Sequence, residues 1–249
     1  MRENSEKFVI AHKKVKQAIF PIFRLLQTQT GLQLDAKAAG FFLDNQGRFA
    51  TCAHLFDDAP PGATFEYFGH LPHQLQIPPI RVKELGRSDV GDIVIGRLTM
   101  PNPTGFLHLG SGLPEPGKQV CIFGYPMALK ENAQCGVQFG GVRHYLQRSF
   151  VLDSVTATPK NSHRTHNGFS VRDTGYSGVS GGPVVDVEGR VVGMLIAVLT
   201  QEDKAGPHTN VVHNAIVVGV DYVRAAYEEV MGNDDNDNVA NLPMCALST

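Results

Sequence analysis

The amino-acid sequence predicts an all-β protein of antiparallel strands that ends in one helix. Short apolar runs recur between turns rich in glycine, proline and aspartate, which is typical of many short strands. Two of those turns carry hairpin signals, and near the C-terminus the apolar spacing changes from that of strands to that of a helix. With 249 residues, 42% of them hydrophobic, the chain can bury one large core or two smaller ones.

The strands are predicted from apolar runs and from the turns that separate them. In chain order the runs cover residues 18–26, 40–43, 92–98, 119–124, 184–187, 191–198 and 214–220. The segments 44–47 and 186–189 each lie between two runs and supply a Gly or Asn that tolerates the positive φ of a tight turn. We therefore expect a hairpin at each of these two positions.

The remaining segments are a break in mid-chain, two helices and a tail. Prolines and glycines in 101–105 and 110–117 interrupt the strand pattern and make this the best linker candidate. A short helix is expected near Glu6 to Lys16, and a stronger one begins at Asp221, with Gly232 as its end. The polar segment 233–249 has little to bury, so it is predicted to be a flexible tail.

Charge, cysteine content and the N-terminal segment exclude several classes of protein. The 22 basic and 24 acidic residues are mixed along the chain and give a net charge of -2, so we expect no nucleic-acid partner. The N-terminal segment is polar, which predicts neither a signal peptide nor a membrane contact and indicates the cytoplasm. The four cysteines, Cys52, Cys121, Cys135 and Cys245, are too scattered for a disulfide framework.

The sharpest local motif is a glycine-rich turn around one serine, in the segment 178–183. Glycines on both sides of Ser180 free the backbone to aim N–H groups at a point beside its hydroxyl. A tetrahedral oxyanion needs such donors. A Ser-Gly turn also occurs in ordinary β proteins, so the motif alone does not decide between the two interpretations.

A serine nucleophile needs a histidine base and a carboxylate that orients the histidine. His54 follows the predicted strand 48–50 and lies at its end, although a lone histidine there is more often structural. Asp92 heads an apolar strand, where a buried carboxylate needs a donor such as an imidazole N–H. Asp89 is a competitor, but it lies in a polar turn, so Asp92 is favoured.

These motifs together resemble the trypsin-like serine protease family, and within it the cytosolic and bacterial branch that includes the Deg-type proteases. The resemblance runs from Lys16 to about Val223, with the Thr51–His54 box, then the Asp92 strand, then the Ser180 box in the family's order. A Pro116–Pro126 segment between the last two boxes is also similar. Leu55 stands where secreted members commonly carry a cysteine after the histidine, which favours a reducing compartment.

The resemblance implies a chymotrypsin-like fold of two packed antiparallel β-barrels with a C-terminal helix. It divides the chain into an N-terminal extension (1–15), a first barrel carrying His54 and Asp92 (16–105), a second barrel carrying Ser180 (106–220), the helix (221–232) and the tail (233–249). It further implies a Ser-His-Asp mechanism with an oxyanion hole formed by the backbone N–H groups of Gly178 and Ser180. No peptide-binding domain of the Deg type is expected after the protease region.

The same resemblance implies which residues form the pocket for the substrate side chain. Thr174 is expected at the base, where trypsin itself carries an aspartate, and Asp173 beside it is expected to point elsewhere. Ile196, Ala197 and Val198 are expected on the opposite wall, where a branched side chain shortens the pocket. We therefore expect cleavage after small or medium apolar residues, with Lys, Arg and large aromatics disfavoured.

The sequence thus predicts a serine endopeptidase that acts on protein or peptide substrates and needs no cofactor or metal. The His70–His73 and His163–His166 pairs have a spacing that metals accept, but no cysteine or carboxylate lies nearby in the sequence. A regulatory protein partner is left open by analogy with stand-alone relatives. The alternative is a latent or inactive protein that keeps the protease fold and serves as a binding partner or scaffold.

Overall fold

The structure is a computed structural model that describes most of the chain. The described residues are 2–28, 31–57, 65–74, 76–88, 90–99, 103, 105–126, 144–158, 165–172, 178–203 and 210–240. Within them the chain forms three helices, α1 (Arg2–Ala18), α2 (His54–Asp57) and α3 (Val220–Ala240). None of these helices combines the length and the apolar content that crossing a membrane requires.

Two closed antiparallel barrels, each of six strands in the described residues, make up the body of the molecule. The first contains β1 (Ile19–Thr28), β2 (Gly31–Phe42), β3 (Arg48–Cys52), β4 (Glu66–Gly69), β5 (Ile80–Ser88) and β6 (Ile93–Leu98), in the order β1-β2-β3-β6-β5-β4. The second contains β7 (Gln119–Gly124), β8 (Tyr145–Ala157), β9 (His166–Arg172), β10 (Pro183–Val185), β11 (Val191–Asp203) and β12 (Asn210–Gly219), in the order β10-β11-β12-β9-β8-β7. The predicted two-barrel fold with a C-terminal helix is therefore confirmed.

Both predicted hairpins are present, one in each barrel. Asp44–Gly47 connects β2 to β3, and Asp186–Gly189 connects β10 to β11. The glycine at the end of each turn has a φ in the left-handed region, 81° at Gly47 and 82° at Gly189. Most other residues are strained in that region, which explains why glycine stands at both positions.

Each barrel has its own apolar interior, and a third cluster lies where the barrels and helices meet. In the first interior, the ring of Phe20 packs on those of Phe42 and Phe49, with centroids 4.7 and 5.1 Å away. The second interior consists mostly of valines. In the shared cluster, the buried Tyr125 of the second barrel donates its hydroxyl hydrogen to the carbonyl of Ile19 in the first, 3.1 Å away. The barrels therefore share a packed and hydrogen-bonded interface.

Helix α1 precedes the first barrel in sequence but packs on the second. The guanidinium of Arg148 on β8 lies over the ring of Phe8, 4.8 Å from its centroid. His12, one turn further along the helix, stacks on Phe123 of β7, and its Nε2 lies 2.6 Å from Nε2 of His144. These contacts hold α1, which includes the helix predicted near Glu6 to Lys16, against β7 and β8.

Helix α3 follows the second barrel and reaches back to the first. The Tyr227 hydroxyl donates to Oδ2 of Asp44 at 2.9 Å, and Val230 packs beside Gly86 on β5. The helix runs on to Ala240, past Gly232, where the sequence predicts its end. Gly232 does not adopt the left-handed conformation that ends many helices. The first part of the predicted tail is therefore helical, while residues 241–249 lie outside the described residues.

Candidate active site

Strand pairing in the first barrel brings His54 and Asp92 together. The fully buried strand β3 ends at Cys52, and α2 begins at His54. Asp92 immediately precedes β6, and Cys52 pairs with Ile93 in the antiparallel ladder of these two strands. Because the end of one strand lies beside the start of the other, the two side chains become neighbours although they are distant in sequence.

Three hydrogen bonds join Asp92 to the segment that carries the histidine. Asp92 Oδ2 lies 2.5 Å from Nδ1 of His54, and Oδ1 accepts the backbone N–H of His54 at 2.8 Å. The backbone carbonyl of Asp92 accepts the N–H of Ala53 at 2.9 Å. An ionised carboxylate can only accept, so the ring hydrogen must be on Nδ1 and the second ring nitrogen, Nε2, is free to act as a base.

The backbone at Asp92 is strained to make this arrangement. Its φ of 58° lies in the left-handed region, where it is the one non-glycine residue among the described ones. A side chain in this region costs on the order of 1 kcal/mol or more, and such strain persists only where surrounding contacts enforce it. Here the contacts are the bonds to His54 and Ala53.

The pair is asymmetric in its exposure and in its charge. The His54 side chain is 43% exposed and the Asp92 side chain 13%, so the imidazole faces the solvent while its carboxylate partner is covered. The hydrogen bond with Asp92, followed by one with the neighbouring Cys52 thiol, raises the pKa of His54 above its ordinary value. The site therefore stabilises the imidazolium form.

The backbone of the Ser180 turn requires glycine at positions 178, 181 and 182. Gly178 and Gly181 have φ of 95° and 76°. A Cβ on Gly178 would lie 2.4 Å from the carbonyl oxygen of Tyr125, and one on Gly182 would lie 2.0 Å from that of Phe123. The turn is closed by the N–H of Gly182, which donates to the Val179 carbonyl at 2.9 Å.

Ser180 belongs to the second barrel but is bonded to the first. Its carbonyl accepts the N–H of Ala39 on β2 at 2.8 Å. A Cβ on the next residue, Gly181, would lie 2.4 Å from the Ala39 carbonyl oxygen and 3.0 Å from the backbone nitrogen of Cys52, two residues before His54. The serine turn therefore lies directly against the strand that leads to the histidine.

The hydrogen bonding of the Ser180 turn also bears on the site's chemistry. Among the described residues, no hydrogen bond joins the Ser180 hydroxyl to His54. Within the same part of the chain, neither the N–H of Gly178 nor that of Ser180 donates to a backbone carbonyl. Their role as donors to a bound oxygen stays a prediction.

The structure separates the residues expected to line the substrate pocket. Ile196 is the extra residue of a bulge in β11, and its buried side chain joins the cluster between the barrels. Ala197 is exposed, whereas Val198 packs partly against the interior of the second barrel. Because neighbouring side chains alternate along a strand, these two cannot both line one pocket wall. Thr174 and Asp173 lie outside the described residues, as does Asp89.

One set of residues near the site was missed in the sequence. Arg87 on β5 contacts Asp57, the last residue of α2, and Glu84. Its guanidinium lies 5.9 Å from the ring centroid of Phe56, also on α2. Arg87 and Asp57 are far apart in sequence, and only the opposite charges of Arg87 and Glu84, three residues apart, gave any local signal.

Comparison with known proteins assigns the chain to a family. The chain matches the trypsin-like peptidase domain over residues 38–194, a span that includes His54, Asp92 and Ser180. A comparison with curated proteins gave no match. Since the domain match covers more than half of the chain, it carries the assignment.

Solved structures agree in fold. The chain is similar to the active form of the Rv3671c protease from M. tuberculosis, with a TM-score of 0.61 at 15% identity over 88% of this chain and 83% of that one. It is also similar to the HtrA-type protease AlgW with a decapeptide, with a TM-score of 0.65 at 12% identity over 90% of this chain and 67% of that one. With the domain match and the two-barrel fold in agreement, the chain belongs to the trypsin-like peptidase family and is a serine endopeptidase.

Proposed function

We propose that the chain cuts peptide bonds in proteins with Ser180 as nucleophile, His54 as general base and acid, and Asp92 as the carboxylate that orients the histidine. One observation carries this proposal. The hydrogen-bonded His54–Asp92 pair of the first barrel lies beside the strand to which the Ser180 turn is bonded. A nucleophile, a base and an orienting carboxylate are the three parts that acyl transfer by serine requires.

The steps follow from the donors and acceptors present. Ser180 Oγ attacks the substrate carbonyl while its proton passes to Nε2 of His54, and Nδ1–H remains bonded to Asp92. The negative charge that forms on the carbonyl oxygen is stabilised by the N–H groups of Gly178 and Ser180. One such donor contributes about 3 to 4 kcal/mol in the transition state. His54 then gives the proton to the leaving amine, and water hydrolyses the acyl-enzyme by the same route in reverse.

The hydroxyl of Ser180 must turn toward His54 for the first step. Hydrogen bonds of this kind are often absent without substrate and form in the complex. The missing bond also supports the second candidate function, a latent protease that needs a partner protein to complete its site. The free, buried thiols of Cys52 and Cys121 favour a reducing compartment for either function.

For the substrate side chain, we propose a pocket with Thr174 at its base and one wall from β11. The exposed Ala197 is the better candidate for that wall, because Val198 is partly used by the barrel interior. Without a carboxylate at the base, a lysine or arginine side chain would be buried unpaired at a cost of several kcal/mol. A peptide library should therefore be cut after Ala, Val or Leu, and a preference for Lys or Arg would contradict the assignment of Thr174.

A fluorophosphonate probe, which reacts with activated serines, separates the two candidates. Labelling of the purified protein that is lost in both Ser180→Ala and His54→Ala supports the active protease. Labelling that appears only after a partner is added supports the latent one. Asp92→Asn serves as the mechanistic variant: it should slow labelling by orders of magnitude, since the ring tautomer is no longer fixed. Equal labelling of wild type and His54→Ala would contradict the proposed mechanism.

A further inference from the structure

Helix α2 carries His54 but is too short to hold its own position. It has four residues, and a single helical turn has almost no intrinsic stability. Contacts from outside must therefore fix it. Leu55 is buried, and its carbonyl accepts the hydroxyl of Tyr67 on β4 at 3.0 Å. At the far end of the turn, the contact is with Arg87.

Arg87 is held in a fixed orientation by a two-point bond. Its Nε and Nη2 donate to the two carboxylate oxygens of Glu84 at 3.0 and 3.1 Å. This leaves Nη1 directed at Oδ1 of Asp57, which it contacts. A planar guanidinium clamped in this way is a rigid arm, unlike a lysine that would make one mobile contact.

The backbone of Arg87 is in turn fixed relative to Asp92. Arg87 pairs with Val94, and Ser88 pairs with Ile93, the residue that follows Asp92. The Ser88 hydroxyl also donates to the Val90 carbonyl at 3.0 Å and so shapes the turn that leads to Asp92. These contacts therefore connect Asp92, through β5 and Arg87, to Asp57 at the end of α2, the helix that begins with His54.

We infer that Arg87 is a positioning residue of the active site: by holding Asp57, it keeps α2, and with it His54, in place against Asp92. This inference rests on the proposed function. Arg87, Asp57 and Glu84 are all partly exposed, and exposed ion pairs contribute little to stability. Loss of Arg87 should thus hardly affect folding. Catalysis is more sensitive, because a misplacement of about 1 Å in a reacting group can lower the rate roughly 100-fold.

The test compares Arg87→Met with a matched control, Arg190→Met. Arg190 also bonds two carboxylates, Asp186 and Glu188, but on a turn of the second barrel. In Arg87→Met we expect kcat to fall about 10-fold with little change in KM, as for a small displacement of the base. The acid limb of kcat/KM should move to lower pH, because a weaker bond to Asp92 raises the pKa of His54 less. Arg190→Met should match wild type.

Partner substitutions sharpen the result. Asp57→Asn should show part of the loss, and the double variant Arg87→Met with Asp57→Asn should lose less than the sum of the two single variants, because both remove the same interaction. Arg87→Lys should restore activity only in part, since lysine cannot make the two-point bond. Wild-type kcat and an unchanged acid limb in Arg87→Met would overturn the inference.

A second readout separates this inference from the proposed function. The Nδ1 hydrogen of His54 is bonded to Asp92, so we expect it to give a low-field proton NMR signal that does not depend on turnover. We expect that signal to weaken in Arg87→Met and to persist in Arg190→Met. If wild type proves inactive, the proposed function fails while this comparison still decides the inference. An identical signal in all three proteins would refute the positioning role.

Discussion

Two turns, one in each barrel, share the pattern Asp-x-x-Gly-Arg and the same local bonds. Asp44 Oδ1 accepts the backbone N–H groups of Gln46 and Arg48 at 2.7 and 3.1 Å. Oδ1 of Asp186 accepts those of the residues two and four positions later at 3.0 and 2.9 Å. In both turns the arginine side chain bonds back to the aspartate, at 3.0 Å from Arg48 and 2.8 Å from Arg190.

The turns differ in what covers them. The Arg48 side chain is 7% exposed, and Tyr227 of α3 lies over the first turn and bonds to Asp44. The Arg190 side chain is 56% exposed, and the second turn lies beside α1, with Ala11 and the side chain of Lys14 next to Gly189. The comparison teaches that five residues are enough to specify a turn, whereas its energetic weight depends on a helix from the other end of the chain.

The largest expected effect is on the buried ion pair. Asp44→Ala leaves the guanidinium of Arg48 buried without the carboxylate that neutralises it, and we expect a loss of about 3 kcal/mol in the free energy of unfolding. Asp186→Ala should cost clearly less, because Arg190 returns to water. Urea unfolding of the two variants measures the difference. Asp44→Asn, which keeps the acceptor of the turn, provides a folded variant if Asp44→Ala does not fold. Equal losses from both sites would mean that the covering helix does not matter.

The next largest effect is expected at the contact between His12 and His144, which holds α1 on the second barrel. Burial, and then the charge of Lys16, lowers the pKa of His12, while burial, His12 and Lys16 lower that of His144. The cation of Lys16 acts on both rings. Protonation of both rings would place two hydrogens between nitrogens 2.6 Å apart.

The direction of the pH effect follows from these lowered pKa values. In the unfolded chain both histidines have an ordinary pKa of about 6.5. Below that pH the unfolded chain therefore binds protons that the folded chain does not bind. The contribution of this pair to stability should therefore be constant above about pH 6.5 and fall as the pH drops toward the folded-state pKa. We expect His12→Gln to lose part of this dependence in melting temperatures between pH 7.5 and 5. His108→Gln is the control. If His12→Gln keeps the full wild-type dependence, the pair is not its source.

The smallest effect concerns the hydroxyl that covers the first turn. Burial disfavours the charge of Asp44, but the bonds from Arg48 and Tyr227 outweigh this and leave the pKa of Asp44 below its ordinary value. Tyr227→Phe should cost about 1 kcal/mol and raise that pKa. Stability contributed by Asp44 is present above its unfolded pKa and lost on acidification, so in Tyr227→Phe it should be lost at higher pH. Tyr222→Phe, on the same helix, should leave the pH at which this contribution of Asp44 is lost unchanged.

Sequence patterns predicted what depends on neighbours along the chain and missed what depends on tertiary packing. Both hairpins follow from short turn signals, and the motifs at His54, Asp92 and Ser180 pointed to residues that the fold collects at one interface. The end of α3 was misjudged because Gly232 predicts a stop only when it adopts a left-handed conformation. Contacts such as Arg87 with Asp57, or His12 with His144, join distant segments and have no local pattern.

The two terminal helices also determine how the molecule would behave if it were divided. A cut in the segment between β6 and β7 yields one piece with α1 and the first barrel, and another with the second barrel and α3. Each piece carries a helix that also contacts the other piece, through His12 on one side and Tyr227 on the other. The halves are thus built to recognise each other without a covalent link. Since His54 and Ser180 fall on different halves, the fold is a natural scaffold for a split enzyme whose activity reports reassembly.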